Sequence, residues 1–244
     1  MANFYLREDL DDVDVGDEVE LGASEARHIA TVSRTRAGER ILFGNGRGLR
    51  VSGTVISAAP ELVVVRAESV DTSVRASPRI TLVQALAKGG RDELAVQAAT
   101  ELGADAVIPW SADRSVTRWE GQKVAKGNQR WATIAREAAK QSMRTWLPEV
   151  LPLASTRDLV ELAADVRMLV LDPTADVALW SPDTALDGPA LTLVVGPEGG
   201  ISPAELDALC AAGAQQVRLG GAVLRTSTAG PAALAVINTL RKRW

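Results

Sequence analysis

Two glycine-rich loops, each following a short apolar run, constrain this chain more than any other feature. They lie in LTLVVGPEGGISPAELDALCAAGAQQVRLGGAVLRTSTAGPAALAV, residues 191–236. Leu191 to Val195 is apolar without alternation, the pattern of a strand buried on both faces of a parallel sheet. It runs into Gly196-Pro197-Glu198-Gly199-Gly200, where glycine permits backbone geometry and close approaches that other residues resist. Ser202, Pro203 and Glu205 read as N-cap, first helical residue and capping-box partner. A helix to about Ala212 stops at Gly213, and a second strand centres on Val217-Arg218-Leu219. Gly220-Gly221 makes the next turn, and Thr228 is the expected cap of a last apolar helix ending in Arg241-Lys242-Arg243. Two strand-to-glycine-to-helix units side by side are the expectation, and ligands of parallel sheets bind at such strand ends.

The glycines alone allow several readings. They can be tight turns of ordinary β-α units and nothing more. A dinucleotide site is disfavoured, because the loop is G-x-x-G-G rather than G-x-G-x-x-G. No acid follows the next strand to hold a ribose, either. A Walker phosphate loop is excluded, since Gly-Lys-Ser/Thr occurs nowhere.

Charge is segregated along the chain. The formal net charge is −4 over 244 residues, which taken alone argues against nucleic acid. Residues 8–25 hold nine acids, whereas residues 26–66 carry seven Arg against two acids. Residues 111–144 carry eight Lys/Arg against three acids. Two basic islands in an acidic protein fit local anion-binding surfaces, or solvated faces. One cysteine, Cys210, excludes a disulfide framework and fits a reducing compartment. The N-terminal MANFYLREDLDD has no apolar signal core and no apolar run reaches about 18 residues, so a cytoplasmic protein without membrane spans is expected.

Residues 1–73 read as a small β domain. Arg40–Phe43, Leu49–Ile56 and Glu61–Val65 are short and rich in β-branched residues, with the turn signal Gly44-Asn45-Gly46-Arg47-Gly48 between two of them. A short helix is expected over Ser24–Thr31 with Ser24 as its cap. His28 is the only histidine, and without Cys/His partners it makes no typical zinc site. It reads as a packing residue or an RNA contact. Arg34, Arg36, Arg47 and Arg50 suit phosphates, given the fork geometry of guanidinium. Residues 74–79 form a polar linker containing Pro78.

Residues 80–244 read as an α/β domain. A strand Ile80–Leu86 precedes a helix 91–102 with Leu94, Ala98 and Leu102 on one face, stopped by Gly103. A strand Asp105–Pro109 follows. Residues 127–144 form an amphipathic helix with Trp131, Ile134, Ala135 and Ala138 as its apolar stripe, leaving Arg130, Arg136, Lys140 and Arg144 on the polar side. Residues 154–167 read as a helix, Met168–Leu171 as a strand and Asp172-Pro173-Thr174 as its end loop.

Four blocks of this sequence carry a resemblance. They are RHIATVSRTRAGERILFGNGRG with His28, Val32, Arg34 and Gly38; LVQALAKGGRDELAVQAATELGADAVIPWSADRSV with Lys88; EAAKQSMRTWLPEV with Glu137, Gln141, Ser142, Arg144 and Pro148; and GPEGGIS paired with LGGAVLRTSTA. In order and spacing they resemble the RsmE family of SPOUT methyltransferases. Gly89-Gly90-Arg91-Asp92 departs from its commoner acid or aromatic.

The resemblance implies a SPOUT-type parallel sheet with a C-terminal trefoil knot, preceded by a PUA-like RNA-binding β-barrel. It implies S-adenosylmethionine (SAM) as methyl donor with no metal, N3 of a uracil in 16S ribosomal RNA of the small subunit as substrate, and a homodimer. The implied cofactor contacts are Leu171, Gly196, Gly199, Gly200, Leu219, Gly220, Leu224 and Thr226, with the Asp172–Thr174 loop as third wall. The implied RNA contacts are His28, Arg34, Arg36, Arg47, Arg136 and Arg144. The motif loops contain no histidine, one acid, Glu198, and one cation, Arg225. These two are the candidate catalytic residues, against the alternative that they pair with each other and tie the loop. An RNA-binding assembly factor and a SAM- or nucleotide-dependent enzyme on a small molecule remain the competing functions.

Overall fold

The computed structural model describes residues 4–244. The chain forms two compact units, one running through Arg75 and including Ala139–Leu147, the other comprising Ala76–Ala138 and Pro148–Trp244.

The first unit holds β1 (Phe4–Leu6), β2 (Glu18–Gly22), α1 (Ala23–Arg27), β3 (Arg40–Gly44), β4 (Leu49–Ala58) and β5 (Leu62–Thr72). Its sheet has the order β1-β3-β4-β5-β2, antiparallel except for the β1–β3 pair. Alternation along β2, with Val19 and Leu21 buried and Glu18 and Glu20 exposed, turns one face onto a core of Tyr5, Ile29, Phe43, Val51, Val63 and Val65. The expected helix 24–31 differs in two ways. It begins at Ala23 with Gly22 as N-cap and no side-chain cap, because β2 enters it without an intervening turn and leaves Ser24 already inside. From His28 to Val32 it widens into a π-helical turn.

Ala139–Leu147 belongs to this first unit because its groups complete the β3–β4 turn. The N–H of Gly48 donates to Thr145 O at 2.9 Å, and that of Leu147 to Gly46 O at 2.9 Å. Trp146 Nε1 donates to Ser73 O at 3.1 Å, and the Arg75 guanidinium lies 4.4 Å from the Trp146 ring centroid. A Cβ at Gly48, whose φ is +103°, would fall 2.7 Å from Trp146, so this turn needs glycine twice over. Lys140 was expected on a polar helix face. It is buried instead, its Nζ 3.0 Å from the carboxylate of buried Glu25.

The second unit is α/β, as expected. It contains β6 (Arg79–Ala85), α2 (Arg91–Glu101), β7 (Ala106–Trp110), β8 (Glu149–Val150), α4 (Thr156–Ala163), β9 (Met168–Leu171), β10 (Ala190–Val195), α5 (Pro203–Ala211), β11 (Gln215–Val217) and α6 (Thr226–Leu240). Between β7 and β8 lies α3 (Gln122–Gln141), whose last residues belong to the first unit. All six strands are parallel, in the order β11-β9-β10-β6-β7-β8. Ile80, Leu82, Leu191 and Leu193 face one core and Val83, Val170 and Val194 the other, which explains the unalternated strand sequences.

Three expectations need correction. β10 and β11 are not neighbours, since β9 lies between them. The buried face of α2 is Ala95, Val96, Ala99 and Thr100, while Leu94 points outward and is 57% exposed. α6 starts at Thr226 rather than being capped by Thr228. Arg225 enters extended, with ψ 150°, and its carbonyl accepts the Thr228 N–H at 2.8 Å. Among the described residues no helix is long and apolar enough to cross a membrane.

Candidate active site

The loops that follow β9, β10 and β11 converge on one cavity of about 520 Å³. Its apolar wall includes Leu171, Val195, Ile201, Leu219, Leu224 and Ala229, and its polar groups are loop peptides with Arg91, Asp172, Glu198, Arg225 and Thr226. Every residue expected to contact a cofactor lines it: Leu171, Gly196, Gly199, Gly200, Leu219, Gly220, Leu224 and Thr226.

The β10–α5 loop is held from several sides. Ser202 and Glu205 form the expected capping box, and Pro203 opens α5. Glu205 does more than cap. Its Oε1 accepts the Asp113 N–H and the Thr156 hydroxyl, both at 2.8 Å, while Oε2 accepts the Ser202 N–H at 3.0 Å. Burial alone would push this carboxyl up, but these hydrogen bonds outweigh it and hold Glu205 below the usual glutamate range. On the loop's outer side, Arg114 donates to Gly199 O at 3.2 Å.

The glycines serve different purposes. A Cβ at Gly196 would sit 2.7 Å from Ile201 Cγ1, so Gly196 lets the loop close on itself. Gly200 (φ +73°) and Gly220 (φ +151°) adopt backbone that disfavours other residues, and a Cβ on either would meet nothing within 4 Å.

Glu198 and Arg225 both line the cavity, but they are not partners. Oε1 of Glu198 accepts the Lys88 N–H at 3.1 Å and lies 3.3 Å from Arg91 Nη1. Among the described residues the Arg225 guanidinium makes no hydrogen bond or ion pair, and the residue is exposed. Arg91 was missed as a lining residue. Its place at the start of α2 was visible, but its convergence on residue 198 was not.

The expected RNA contacts scatter over surfaces of differing character. In the first unit, Arg34 and Arg36 are exposed, and Arg34 has φ 55°. His28 is half-buried edge-on to Tyr5, ring centroids 5.7 Å apart, which fits its packing reading. Arg47 is committed internally: its guanidinium donates to the carbonyls of Glu8 and Leu10 and to Asp11 Oδ1. Arg144 is half-buried. In the second unit, Arg136 lies 3.3 Å from Glu137. Other cations of the 111–144 island also bind the protein itself, as Arg118 does at the carbonyls of Ala112 and Asp113 and Arg130 at Glu93. Among the described residues no cluster of side chains could hold a metal ion.

Comparisons with known proteins agree with this geometry. The family model described as RNA methyltransferase domain matches residues 75–238, and that of an RNA methyltransferase PUA domain matches residues 21–68. A ribosomal RNA small subunit methyltransferase E of Mycobacterium bovis is 45% identical over 240 residues, covering 95% of this chain and 90% of its own. That of Bacillus subtilis is 28% identical over 98% of this chain and 96% of its own. Among solved structures, the ribosomal RNA small subunit methyltransferase E of Neisseria gonorrhoeae bound to S-adenosyl methionine superposes with a TM-score of 0.87, at 28% identity and 98% coverage of both chains. A Legionella pneumophila methyltransferase in complex with SAM gives 0.87 at 29% identity, with the same coverage. A cavity walled by two glycine loops and the β9 end loop, in a chain matched along nearly its whole length, leads to one assignment: the chain belongs to the RNA methyltransferase family, among the proteins named ribosomal RNA small subunit methyltransferase E, the RsmE family.

Proposed function

We propose that this protein is a SAM-dependent methyltransferase acting on N3 of a uracil in 16S ribosomal RNA of the small subunit. The observation that carries the reading is the cavity, in which all eight expected cofactor contacts lie together. Its volume of about 520 Å³ is within the range of small-molecule sites, roughly 300–1,000 Å³. The lining suits the cofactor's chemistry. Leu171, Leu219 and Leu224 offer apolar surface to an adenine and ribose, and glycine-loop peptides offer N–H and C=O groups at close range. Open space around Gly200 and Gly220 leaves those peptides accessible from the cavity.

When bound, SAM supplies an electrophilic methyl group on a sulfonium. The residues of this chain then have to place N3 in line with that methyl and stabilise the charge left when the imide proton departs. Arg225, which has no partner among the described residues, is suited to stabilise charge on a uracil oxygen. Glu198 is held by Lys88 N–H and Arg91. That engagement favours a loop-fixing role over proton abstraction.

The same reading assigns the β domain of residues 1–73 to RNA binding, through His28, Arg34, Arg36 and neighbouring cations, and residues 80–244 to catalysis, with 74–79 between them. It takes the C-terminus to form a trefoil knot, a reading favoured by β9 lying between β10 and β11 and by the bond from Thr226 Oγ1 to Gly196 O. A homodimer in the cytoplasm completes it.

Thermal shift with SAM, then methyl transfer to naked 16S RNA, small subunits and whole ribosomes, tests the proposal. The expected result is SAM-dependent stabilisation and one methylated uracil mapped by mass spectrometry. SAM binding with transfer only to a small molecule, or RNA binding without SAM binding, would overturn it.

A further inference from the structure

Beneath the cavity a buried hydrogen-bond chain joins three elements that are far apart in sequence. Gln84, at the end of β6, is fully buried and paired in register with Val195, the residue before Gly196. Its Nε2 donates to Ala85 O at 3.0 Å and to Thr226 Oγ1 at 2.7 Å. Thr226 Oγ1 in turn donates to Gly196 O at 2.7 Å.

The direction of this chain follows from its donor count. A primary amide nitrogen has two N–H groups and a hydroxyl has one proton. Turning the amide over would set Oε1 against Ala85 O, two acceptors face to face, so the nitrogen must occupy this position. With the Thr226 oxygen accepting from Gln84, its own proton can go only outward, to Gly196 O. Gln84 therefore dictates that the β10 loop is held by the first residue of α6. Thr226 also follows Arg225 directly, so the same bond fixes the chain on which that guanidinium is carried.

We infer that Gln84 is a positioning residue of the cofactor pocket, locking the Gly196 peptide to the start of α6 through the hydroxyl of Thr226; the inference rests on reading the cavity as a SAM site. Gln84 is not among the residues that line the cavity. It acts through Thr226 and Gly196, and removing it should loosen the pocket while leaving the wall chemistry intact.

The test uses Gln84→Met, Thr226→Val and the double variant, with two readouts. In ligand-free protein, hydrogen exchange of the loop amides 196–201 should accelerate in each single variant. In calorimetry, SAM affinity should fall about 5- to 10-fold in each, the loss of one buried hydrogen bond. The double variant should be no weaker than the weaker single, because both changes break one chain. Thr226→Ser should recover most of the affinity that Thr226→Val loses. Unchanged loop exchange in Gln84→Met would overturn the inference, as would additive losses in the double variant. If Gln84→Met fails to fold, Thr226→Val against Thr226→Ser, read by exchange, still decides. A wild-type protein that binds no SAM would overturn the functional reading instead, and exchange in the ligand-free protein would still decide the role of Gln84.

Discussion

Glu198 reaches across the cavity rim to Arg91, 3.3 Å from its guanidinium, and leaves Arg225 on the α6 side without an ion pair among the described residues. The one acid and the one cation of the two motif loops are thus separated in role. Glu198 joins the β10 loop to the loop after β6, accepting also from Lys88 N–H at 3.1 Å. Arg225 faces the cavity with its donors available.

This arrangement makes Glu198→Gln a mild change. The amide oxygen can still accept from Lys88 N–H and Arg91, so SAM affinity and the single-turnover methylation rate should stay within a few-fold of wild type. Glu198→Ala releases the loop and should weaken SAM binding about 5- to 10-fold, the scale of one typical lost hydrogen bond. Rapid-quench methyl transfer at saturating SAM is the check. A Glu198→Gln rate lowered by roughly 100-fold, the scale of a lost general base, would make Glu198 the proton acceptor.

Glu205 predicts an acid limb in stability. Its folded-state carboxyl sits below the ordinary glutamate value of about 4.3, so the native state binds this proton less readily than the unfolded chain. The sign follows: the contribution is fully present above the unfolded value and is lost as pH falls through the folded one. Glu205→Gln turns an N–H donor toward the Ser202 or Asp113 N–H and should cost about 1–3 kcal/mol at neutral pH. Its urea midpoint should also fall less steeply than wild type below about pH 4.3. Parallel acid limbs for the two proteins would dismiss the assignment.

What could be read in advance follows the range of the interactions involved. The α5 start was legible because Ser202, Pro203 and Glu205 settle it within four residues, through bonds that the structure contains. The strand 191–195 was legible because burial on both faces leaves a continuous apolar run. The α6 start was not, because its anchor is a hydroxyl bonded to a carbonyl 30 residues away. Neither were the partner of Glu198, 107 residues distant, nor that of Lys140, 115 residues distant. Charge counts erred for the same reason. Lys140 and Arg118 enlarge a basic island on paper, yet one pairs with buried Glu25 and the other grips loop carbonyls. The order β10-β9-β11 also escaped, since strand sequences carry no label for their neighbours.

The Glu25–Lys140 pair gives a stability prediction confined to the first unit. Lys140→Met removes the ammonium and leaves a carboxylate in a site where Glu25 is 4% exposed. Removing one partner of a buried ion pair costs roughly 3–5 kcal/mol, whereas replacing both partners by apolar residues of similar size is often neutral. Lys140→Met should therefore lower the urea-unfolding free energy by about 3 kcal/mol, and Glu25→Leu/Lys140→Met should regain most of that loss. A double variant as unstable as the single would show that the pair supplies net stabilisation of its own.

The last prediction concerns the chemical step. Uracil N3 carries a weakly acidic imide proton that must leave before the nitrogen can attack the methyl carbon. As it leaves, negative charge spreads onto O2 and O4, and a guanidinium at either oxygen lowers the cost of that charge without a strong base. Arg225 is suited to this because no carboxylate among the described residues neutralises it, in contrast to Arg91 at Glu198. Arg225→Ala should leave SAM affinity within a few-fold. It should lower the single-turnover rate by roughly 100-fold or more, the scale of a lost oxyanion donor. Raising the pH should partly restore that rate, because a higher hydroxide activity compensates for weaker stabilisation of the deprotonated imide. Arg225→Lys should recover part of the loss by returning charge without the planar fork. Loss of SAM affinity in Arg225→Ala, with the single-turnover rate intact at saturation, would instead make Arg225 a cofactor contact or a support for the start of α6.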